Sequence, residues 1–239
     1  MSYVDLAWPL GLFFIGVQVF LFSGELTWRS GIIGGLYMFA GGRMSAMALI
    51  GLKLGYLNKE LPRYEYQRLR WQRRGWRETP ALLFEVASQG FANMTVLALP
   101  AVLQASNPSP SLSWLEILGY GLWLAAFIFE FIADAQKARF GLRMRREKRK
   151  GEHCEDGLWK YSRHPNYFGD ALLWWGFYLI ACAAGGWWTV FSPMLMTFLL
   201  VKVSGVAMLE RSLTKTKPEY EAYARRTNAF LPWFPKREV

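Results

Sequence analysis

Six blocks of apolar residues constrain this chain more than any other feature of its sequence. They cover about residues 6–23, 31–57, 81–103, 115–136, 166–184 and 188–208. Most are as long as the roughly 20 residues that an α-helix needs to cross a bilayer. Because a backbone inside lipid must satisfy its own hydrogen bonds, the pattern predicts an all-α polytopic transmembrane bundle. We expect six spans, or seven if a long block is broken or a tail helix re-enters, forming a single domain over residues 1–239.

Lys and Arg collect in three of the segments outside these blocks. These are residues 58–79, residues 137–165 and the tail after residue 208, whereas the other connecting loops hold only Arg29. The positive-inside rule places such basic segments in the cytoplasm, so we expect both termini on that side. The rule also accounts for the net charge of +10. We therefore expect no nucleic-acid partner, and no obligate protein partner is evident.

Cysteine and histidine are scarce in this sequence. Cys154 and Cys182 are isolated, which argues against a disulfide framework or a CxxC metal site. His153 and His164 are too few for a histidine-rich metal centre, so we expect no metal. The first apolar block has neither a basic leader nor a small-residue cleavage site, and we expect no cleavable signal peptide.

Polar side chains inside the apolar blocks are candidates for function, because burying an unpartnered polar group in lipid costs several kcal/mol. Glu85, Gln89 and Asn93 follow one another at intervals of four residues in the third block. Arg43 interrupts the second block, and Asp5 lies at the head of the first. One interpretation is interhelical hydrogen bonding, with Arg43 neutralised by Glu85 or by an acid of the fourth block. For the two amides, this interpretation and a functional one stay equally open.

Two further pairs have the same spacing of four residues. Glu130 and Asp134 lie in the fourth block, and Asn166 and Asp170 begin the fifth, just after Pro165. Residues spaced in this way share one face of a helix. Acidic pairs that converge inside a membrane repel one another unless something polar and partly cationic lies between them. A large cofactor would meet that need, with ribose hydroxyls or an amide as its contacting groups.

The segment GLWKYSRHPNYFGD, residues 157–170, leads into the fifth block. The run WWGFYL follows it at residues 174–179. Pro165 suits the first turn of a helix, where its missing N–H is not needed. Tyr161, Arg163 and His164 precede that turn, and a helix N-terminus favours phosphate or another anion. On residue types alone, an interfacial membrane entry with belt aromatics and topology charges is the simpler interpretation.

These segments resemble the C-terminal signature of the steroid 5α-reductase-like membrane family. The resemblance continues in the tail as LERSL and YEAYARRTNAFLPWFP, so its specific part covers about the last third of the chain. The isoprenylcysteine carboxyl methyltransferase group is a more distant relative, which shares the RHP-x-Y-x-G core but binds another cofactor.

The resemblance implies an NADPH site and assigns residues to it. Glu130, Asp134, Asn166 and Asp170 would help hold NADPH, the last two near its nicotinamide end. The basic segment that holds Lys150, Tyr161, Arg163 and His164 would take the phosphates. Glu210 aligns with a His of the reductases, and the methyltransferases carry a Glu nearby. For the acid that polarises the substrate carbonyl, burial favours Glu85, whereas order along the chain favours Asp5 and Arg43.

The sequence is therefore interpreted as an NADPH-dependent oxidoreductase that reduces an activated C=C bond. Its expected substrate is a lipophilic 3-oxo-Δ4 steroid or other enone that enters from membrane lipid. Its expected location is the bacterial cytoplasmic (inner) membrane, with the cofactor site on the cytoplasmic side. Two alternatives stay open: an S-adenosylmethionine-dependent membrane methyltransferase, favoured by RHPNY and Glu210, and a non-enzymatic membrane scaffold.

Overall fold

The structure is a computed structural model that describes residues 4–22, 24, 26–53, 62–149, 151–203, 205–217 and 219–236, without the side chains of residues 4, 5, 62, 63 and 212. It is all-helical, with 79% of residues in helices. No strand occurs in the described ranges. The α-helices are α1 Val4–Phe22, α2 Trp28–Lys53, α3 Pro62–Arg73, α4 Glu78–Phe91, α5 Leu99–Ala105, α6 Trp114–Arg146, α7 Pro165–Ala183, α8 Phe191–Phe198, α9 Val206–Thr216 and α10 Tyr220–Arg226.

Four helical stretches are long and apolar enough to cross a membrane. They are Trp28–Lys53, Glu78–Ala105, Trp114–Arg146 and Trp187–Thr216. The first apolar block forms a shorter helical stretch, Leu6–Phe22, and the fifth forms α7. All-helical, membrane-type architecture is thus confirmed, whereas the count of six spans and the side of each terminus are not.

Segments expected to be connecting loops also contain helices. The 58–79 segment holds α3, and α6 continues ten residues past its predicted end at residue 136. The tail contains part of α9 and all of α10. These helices were not predicted because they are rich in charged residues. A basic amphipathic helix lacks the long apolar run by which a membrane span is recognised.

The chain divides into two compact units, of which the first comprises Met1–Glu116 and Tyr178–Ser192. Within it, α1 and α2 approach closely at glycines. A Cβ on Gly16 would lie 2.5 Å from the carbonyl oxygen of Gly34, and a Cβ on Gly41 would lie 2.4 Å from the backbone nitrogen of Phe13. Small residues let helix backbones meet in this way, which compensates for the weak hydrophobic driving force inside lipid.

A short π-helix, Ala92–Leu97, separates α4 from α5. Asn93 is the second residue of this π-helix and is 4% exposed. Gln89 donates to the Glu85 carboxylate over 3.0 Å, while the amide of Asn93 donates to the carbonyl oxygen of Trp8 over 3.3 Å. In the first unit Asn93 is therefore an interhelical contact of the kind that membrane helices use.

The same unit contains a buried ion pair that the sequence did not point to. Arg29 donates from Nε to Oε1 of Glu116 over 2.7 Å and from Nη2 to Oε2 over 3.1 Å. The two side chains are 3% and 0% exposed. Gln104 donates to the same carboxylate over 2.6 Å. Arg29 also donates to the carbonyl oxygen of Ser111 over 2.7 Å, so it ties the start of α2 to the loop before α6.

Glu116 has a second role at the start of α6. Its backbone N–H donates to Oγ of Ser113 over 3.2 Å, and its carboxylate accepts the Ser113 backbone N–H over 2.9 Å. This reciprocal arrangement is a capping box, which satisfies two N–H groups that a helix start leaves open. One carboxylate therefore both caps α6 and neutralises Arg29.

Arg29→Met should destabilise the protein by about 3–5 kcal/mol, because it leaves the buried Glu116 carboxylate without its cation. The double change Arg29→Met with Glu116→Gln should recover much of this loss, because no charge is then buried and the amide oxygen can still accept from Ser113 and Gln104. Chemical unfolding in detergent micelles measures the effect. Arg139→Met, at an exposed arginine of α6, is the control. Equal losses from Arg29→Met and Arg139→Met would contradict the assignment.

Candidate functional site

The second unit comprises Ile117–Phe177 and Pro193–Val239 and contains every residue that the sequence assigned to the cofactor. Within it, α6 and α7 run antiparallel. Residues later in α7 contact residues earlier in α6. A Cβ on Gly169 would lie 2.8 Å from Cβ of Glu130, and a Cβ on Gly176 would lie 2.9 Å from the backbone nitrogen of Trp123. These two glycines are seven residues apart and share one face of α7. Only residues without a side chain fit so closely.

The polar pairs of α6 and α7 lie at the same level along the two helices. The Asn166 amide donates to Oδ1 of Asp134 over 3.1 Å. Glu130, one turn earlier on α6, is 7% exposed and lies against Gly169. Asp170 is half-buried, one turn beyond Asn166. The structure thus brings Asn166 together with Asp134, and their role toward a cofactor stays a prediction.

A carboxylate of α9 joins the residues just before α7 to the tail. Glu210 accepts four hydrogen bonds: from Arg163 Nε over 3.0 Å, Arg163 Nη2 over 2.8 Å, His164 Nε2 over 2.8 Å and the Tyr220 hydroxyl over 2.7 Å. The side chains of Arg163 and His164 are 11% and 4% exposed. Because a carboxylate only accepts, His164 must carry a proton on Nε2.

The Glu210 cluster keeps Arg163 and Tyr220 protonated. Burial opposes the charge of Arg163, but its hydrogen bonds and charge contact with Glu210 outweigh that effect and raise its pKa. Burial, followed by the hydrogen bond to Glu210, raises the pKa of Tyr220 well above its ordinary value. Both groups therefore keep their protons near neutral pH and remain donors to Glu210.

Arg163 is largely occupied by the protein itself. Besides Glu210, its Nη1 donates to the carbonyl oxygen of Ala224 over 2.7 Å and also to that of Thr227. The role that the sequence gave it, contacting cofactor phosphates, is untested, but most of its N–H groups are directed at these internal acceptors. It orders the site in any case, because it holds α9 and α10 to the start of α7.

The tail after α10 is fastened along the same segment. The backbone N–H of Trp233 donates to the carbonyl oxygen of Tyr161 over 2.9 Å, and Oγ of Ser162 donates to that of Phe230 over 2.8 Å. Tyr161 packs edge to face on Phe234, with ring centroids 5.8 Å apart. Tyr161 is half-buried and is therefore a packing residue of the tail, and its assignment to the cofactor stays a prediction.

A cavity of about 410 Å³ lies beside the basic segment of this unit. Carboxylates predominate in its lining, which includes Glu147, Glu152, Glu155, Asp156 and Glu219 together with Arg143, Arg149 and His153. Arg143 pairs with Asp156 over 2.9 Å, and Arg149 pairs with Glu147 over 3.2 Å. Such a lining suits a cation or hydroxyl groups better than phosphates.

One wall of this cavity is a histidine–carboxylate network. Nε2 of His153 lies 2.7 Å from Oε1 of Glu155, and Arg226 donates to the same carboxylate. The imidazole stacks on Tyr223 with ring centroids 4.8 Å apart. Nδ1 is buried without a hydrogen-bond partner among the described residues, which fits the tautomer with its proton on Nε2. Burial alone would raise the pKa of Glu155, but the hydrogen bonds from Arg226 and His153 outweigh it and lower that pKa.

The remaining predicted residues belong to the first unit or lie outside the described part. Glu85 is half-buried on α4 and accepts from the amides of Gln67 and Gln89 over 3.4 and 3.0 Å. Arg43 is half-buried on α2. The side chain of Asp5 and the whole of Lys150 lie outside the described residues. The catalytic roles of Glu85, Asp5 and Arg43 and the phosphate role of Lys150 therefore stay predictions.

Comparison with known proteins identifies the family. A family described as "Protein of unknown function (DUF1295)" matches residues 1–227, so the chain belongs to the DUF1295 family. This family is associated with steroid 5α-reductase-like membrane proteins. No curated protein and no solved structure matches the chain.

Sequence reasoning missed Tyr220 and the whole His153 network. Tyr220 and Tyr223 are three residues apart on α10, a spacing that places both rings on one face. That spacing was visible in the sequence, but the acceptors of the two hydroxyls were not. Tyr220 donates to Glu210, 10 residues away, and Tyr223 donates to the carbonyl oxygen of Trp159, 64 residues away. In the described ranges, no group of three or more His, Cys, Asp or Glu side chains is arranged to hold a metal ion.

The lowered pKa of Glu155 predicts how stability depends on pH. A carboxyl with a lower pKa in the folded state stabilises the fold above its unfolded pKa and loses that contribution as the pH falls through its folded value. Wild-type protein should therefore lose stability as the pH drops below about 4.5. Glu155→Gln should remove about 1 kcal/mol or less at neutral pH, because the group is partly exposed, and should flatten the acid decline.

Thermal unfolding at a series of pH values measures this difference. Glu221→Gln, at an exposed glutamate of α10, is the matched control and should follow the wild-type curve. If Glu155→Gln declined in acid as steeply as wild type, the network would contribute nothing to acid stability.

Proposed function

We propose that this protein is an integral-membrane reductase that uses NADPH to reduce an activated C=C bond of an apolar substrate. A 3-oxo-Δ4 steroid is the proposed substrate class. The observation that carries the proposal is the meeting of Asp134 and Asn166 on antiparallel helices, at positions where the resemblance expects the nicotinamide end. Family membership supports it, because DUF1295 proteins are associated with steroid 5α-reductase-like membrane proteins.

The donor set fits the nicotinamide half of such a cofactor. Asp134 and Asp170 can accept hydrogen bonds from an amide or from ribose hydroxyls, and the Asn166 carbonyl oxygen can do the same. The cavity beside the basic segment does not fit phosphates equally well, because carboxylates predominate there. Exposed cations near the end of α6, such as Arg145 and Arg146, are better candidates for that contact.

The chemistry then divides between cofactor and protein. When bound, NADPH supplies a hydride to the β carbon of the enone. Asn166 and Asp134 orient the ring that carries the hydride, and the apolar faces of the helices exclude water. A donor near the substrate carbonyl would stabilise the enolate, which then takes up a proton at the α carbon. Glu85, Asp5 and Arg43 stay the sequence-based candidates for that donor.

The proposal includes an orientation in the membrane. Both termini, the cofactor site and the segments 58–79 and 137–165 lie on the cytoplasmic side of the bacterial inner membrane. The charge of these segments supports it, because Lys and Arg favour that side. Reporter fusions within both segments test it, and a periplasmic signal from either one would contradict it.

Asn166→Ala should weaken NADPH binding by about 1–3 kcal/mol, or roughly five- to a hundredfold, because it leaves a half-buried hydrogen-bonding group of the cofactor unpaired. Asp170→Asn should have a similar effect. Ligand-induced thermal stabilisation of purified protein measures the affinity, since a ligand that binds only folded protein raises the melting temperature. NADPH should bind more tightly than NADH, and both affinities should fall as salt rises.

Asn93→Ala is the control, because Asn93 is another amide that bonds between helices and is itself buried. It should lower the stability of the apo protein and leave NADPH affinity unchanged. If Asn166→Ala behaved in the same way, the Asn166–Asp134 bond would be structural only, and the proposed nucleotide site would be wrong.

A methyltransferase that uses S-adenosylmethionine is the second candidate. Two observations favour it: Glu210 stands where the reductases carry His, and the cavity rich in carboxylates suits a cationic ligand such as a sulfonium with its ammonium group. Under this alternative, S-adenosylmethionine stabilises the protein and NADPH does not. The same thermal measurement therefore separates the two functions.

A further inference from the structure

Helix α3 divides into two faces of different character. Its inner face carries Tyr64 and Trp71, which are 8% and 4% exposed. Its outer face carries Tyr66, Leu69 and Arg70, all exposed, and Arg73 continues the same row. These outer positions recur at intervals of three or four residues and so form one stripe.

The inner face is fixed to α4, which begins one of the four candidate membrane spans. Arg68 forms an ion pair with Glu78 at the first residue of α4. Gln67 donates to Glu85, seven residues further along α4, over 3.4 Å. Because these contacts lie within the first two turns of α4, α3 is held beside the end of that span.

Exposed side chains around this contact are of two kinds. On α4, Leu83 and Phe84 are 64% and 66% exposed, as expected of a face that lies in lipid. On and just after α3, the exposed residues mix aromatic and cationic types: Tyr66, Leu69, Arg70, Arg73, Arg74, Trp76 and Arg77. Residues 62–77 contain six arginines and one glutamate. Arginine with Trp and Tyr is the composition of a helix that lies in the headgroup layer.

We infer that the outer face of α3, together with residues 74–77, binds the headgroups of anionic phospholipids. Charge complementarity carries the inference, because the arginines would meet lipid phosphates at the level where the neighbouring span enters the bilayer. The exposed aromatic rings and Leu69 would rest among the glycerol and upper acyl groups. This site lies in the first unit and does not depend on the proposed reductase function.

The test compares phosphatidylglycerol with phosphatidylcholine for the full chain in mixed detergent–lipid micelles. Phosphatidylglycerol should raise the melting temperature of wild-type protein more than phosphatidylcholine does, and native mass spectrometry should count more retained phosphatidylglycerol. An arginine near an anionic surface contributes about fivefold in affinity. The triple change R70Q/R73Q/R74Q should therefore weaken phosphatidylglycerol binding by about tenfold or more.

Two matched variants separate this site from general charge. R139Q/R211Q/R225Q removes three exposed arginines from α6, α9 and α10, to which no phosphate contact is assigned, and should bind phosphatidylglycerol like wild type. R70K/R73K/R74K keeps the charge of α3 and should retain most of the binding, which also controls for misfolding of the glutamine variant. Soluble glycerol 3-phosphate should give no comparable stabilisation.

Three results would overturn the inference. Wild-type protein could show no preference between the two lipids, or R70Q/R73Q/R74Q could keep it. R139Q/R211Q/R225Q could also lose as much binding as R70Q/R73Q/R74Q, which would reduce the effect to net charge.

Discussion

The Glu210 carboxylate is the contact on which the second unit depends. It accepts from Arg163, His164 and Tyr220, and so joins the start of α7 to α9 and α10. Removing one partner would leave a charge that solvent replaces only in part, because the side chains of Arg163 and Glu210 are 11% and 20% exposed. The tail residues that follow α10 then align against Tyr161 and Ser162. One acidic side chain thus sets the geometry of the segment that leads into the polar pair of α7.

Beyond the Glu210 cluster, α6 and α7 are in close contact. Gly169 and Gly176 allow the two backbones to meet, and the close approach brings Asn166 to Asp134. An amide bonded to a carboxylate is stable inside a membrane because neither group is left unpaired. Under the proposed function, the pair would exchange this bond for one to the cofactor.

The helices themselves could be predicted from the sequence, because long apolar blocks leave few alternatives in lipid. The four-residue spacing of Glu130 with Asp134, and of Asn166 with Asp170, also predicted that each pair shares one helix face. What could not be predicted depends on distant partners or on local irregularity. The Arg29–Glu116 pair joins residues 87 apart, and the π-helix at Ala92–Leu97 interrupts the helical stretch Glu78–Ala105. Helix α3 was missed because its polar, arginine-rich composition is also typical of a loop.

The central claim is that the polar pair of α6 and α7 serves hydride transfer. The most direct measurement follows deuterium from NADPH labelled at C4 of the nicotinamide into product, using purified protein in lipid and a 3-oxo-Δ4 steroid as substrate. If the pair serves hydride transfer, the product is saturated and carries deuterium at the β carbon, and Asn166→Ala abolishes its formation. A product without deuterium, or transfer of a methyl group from S-adenosylmethionine in its place, would exclude this role.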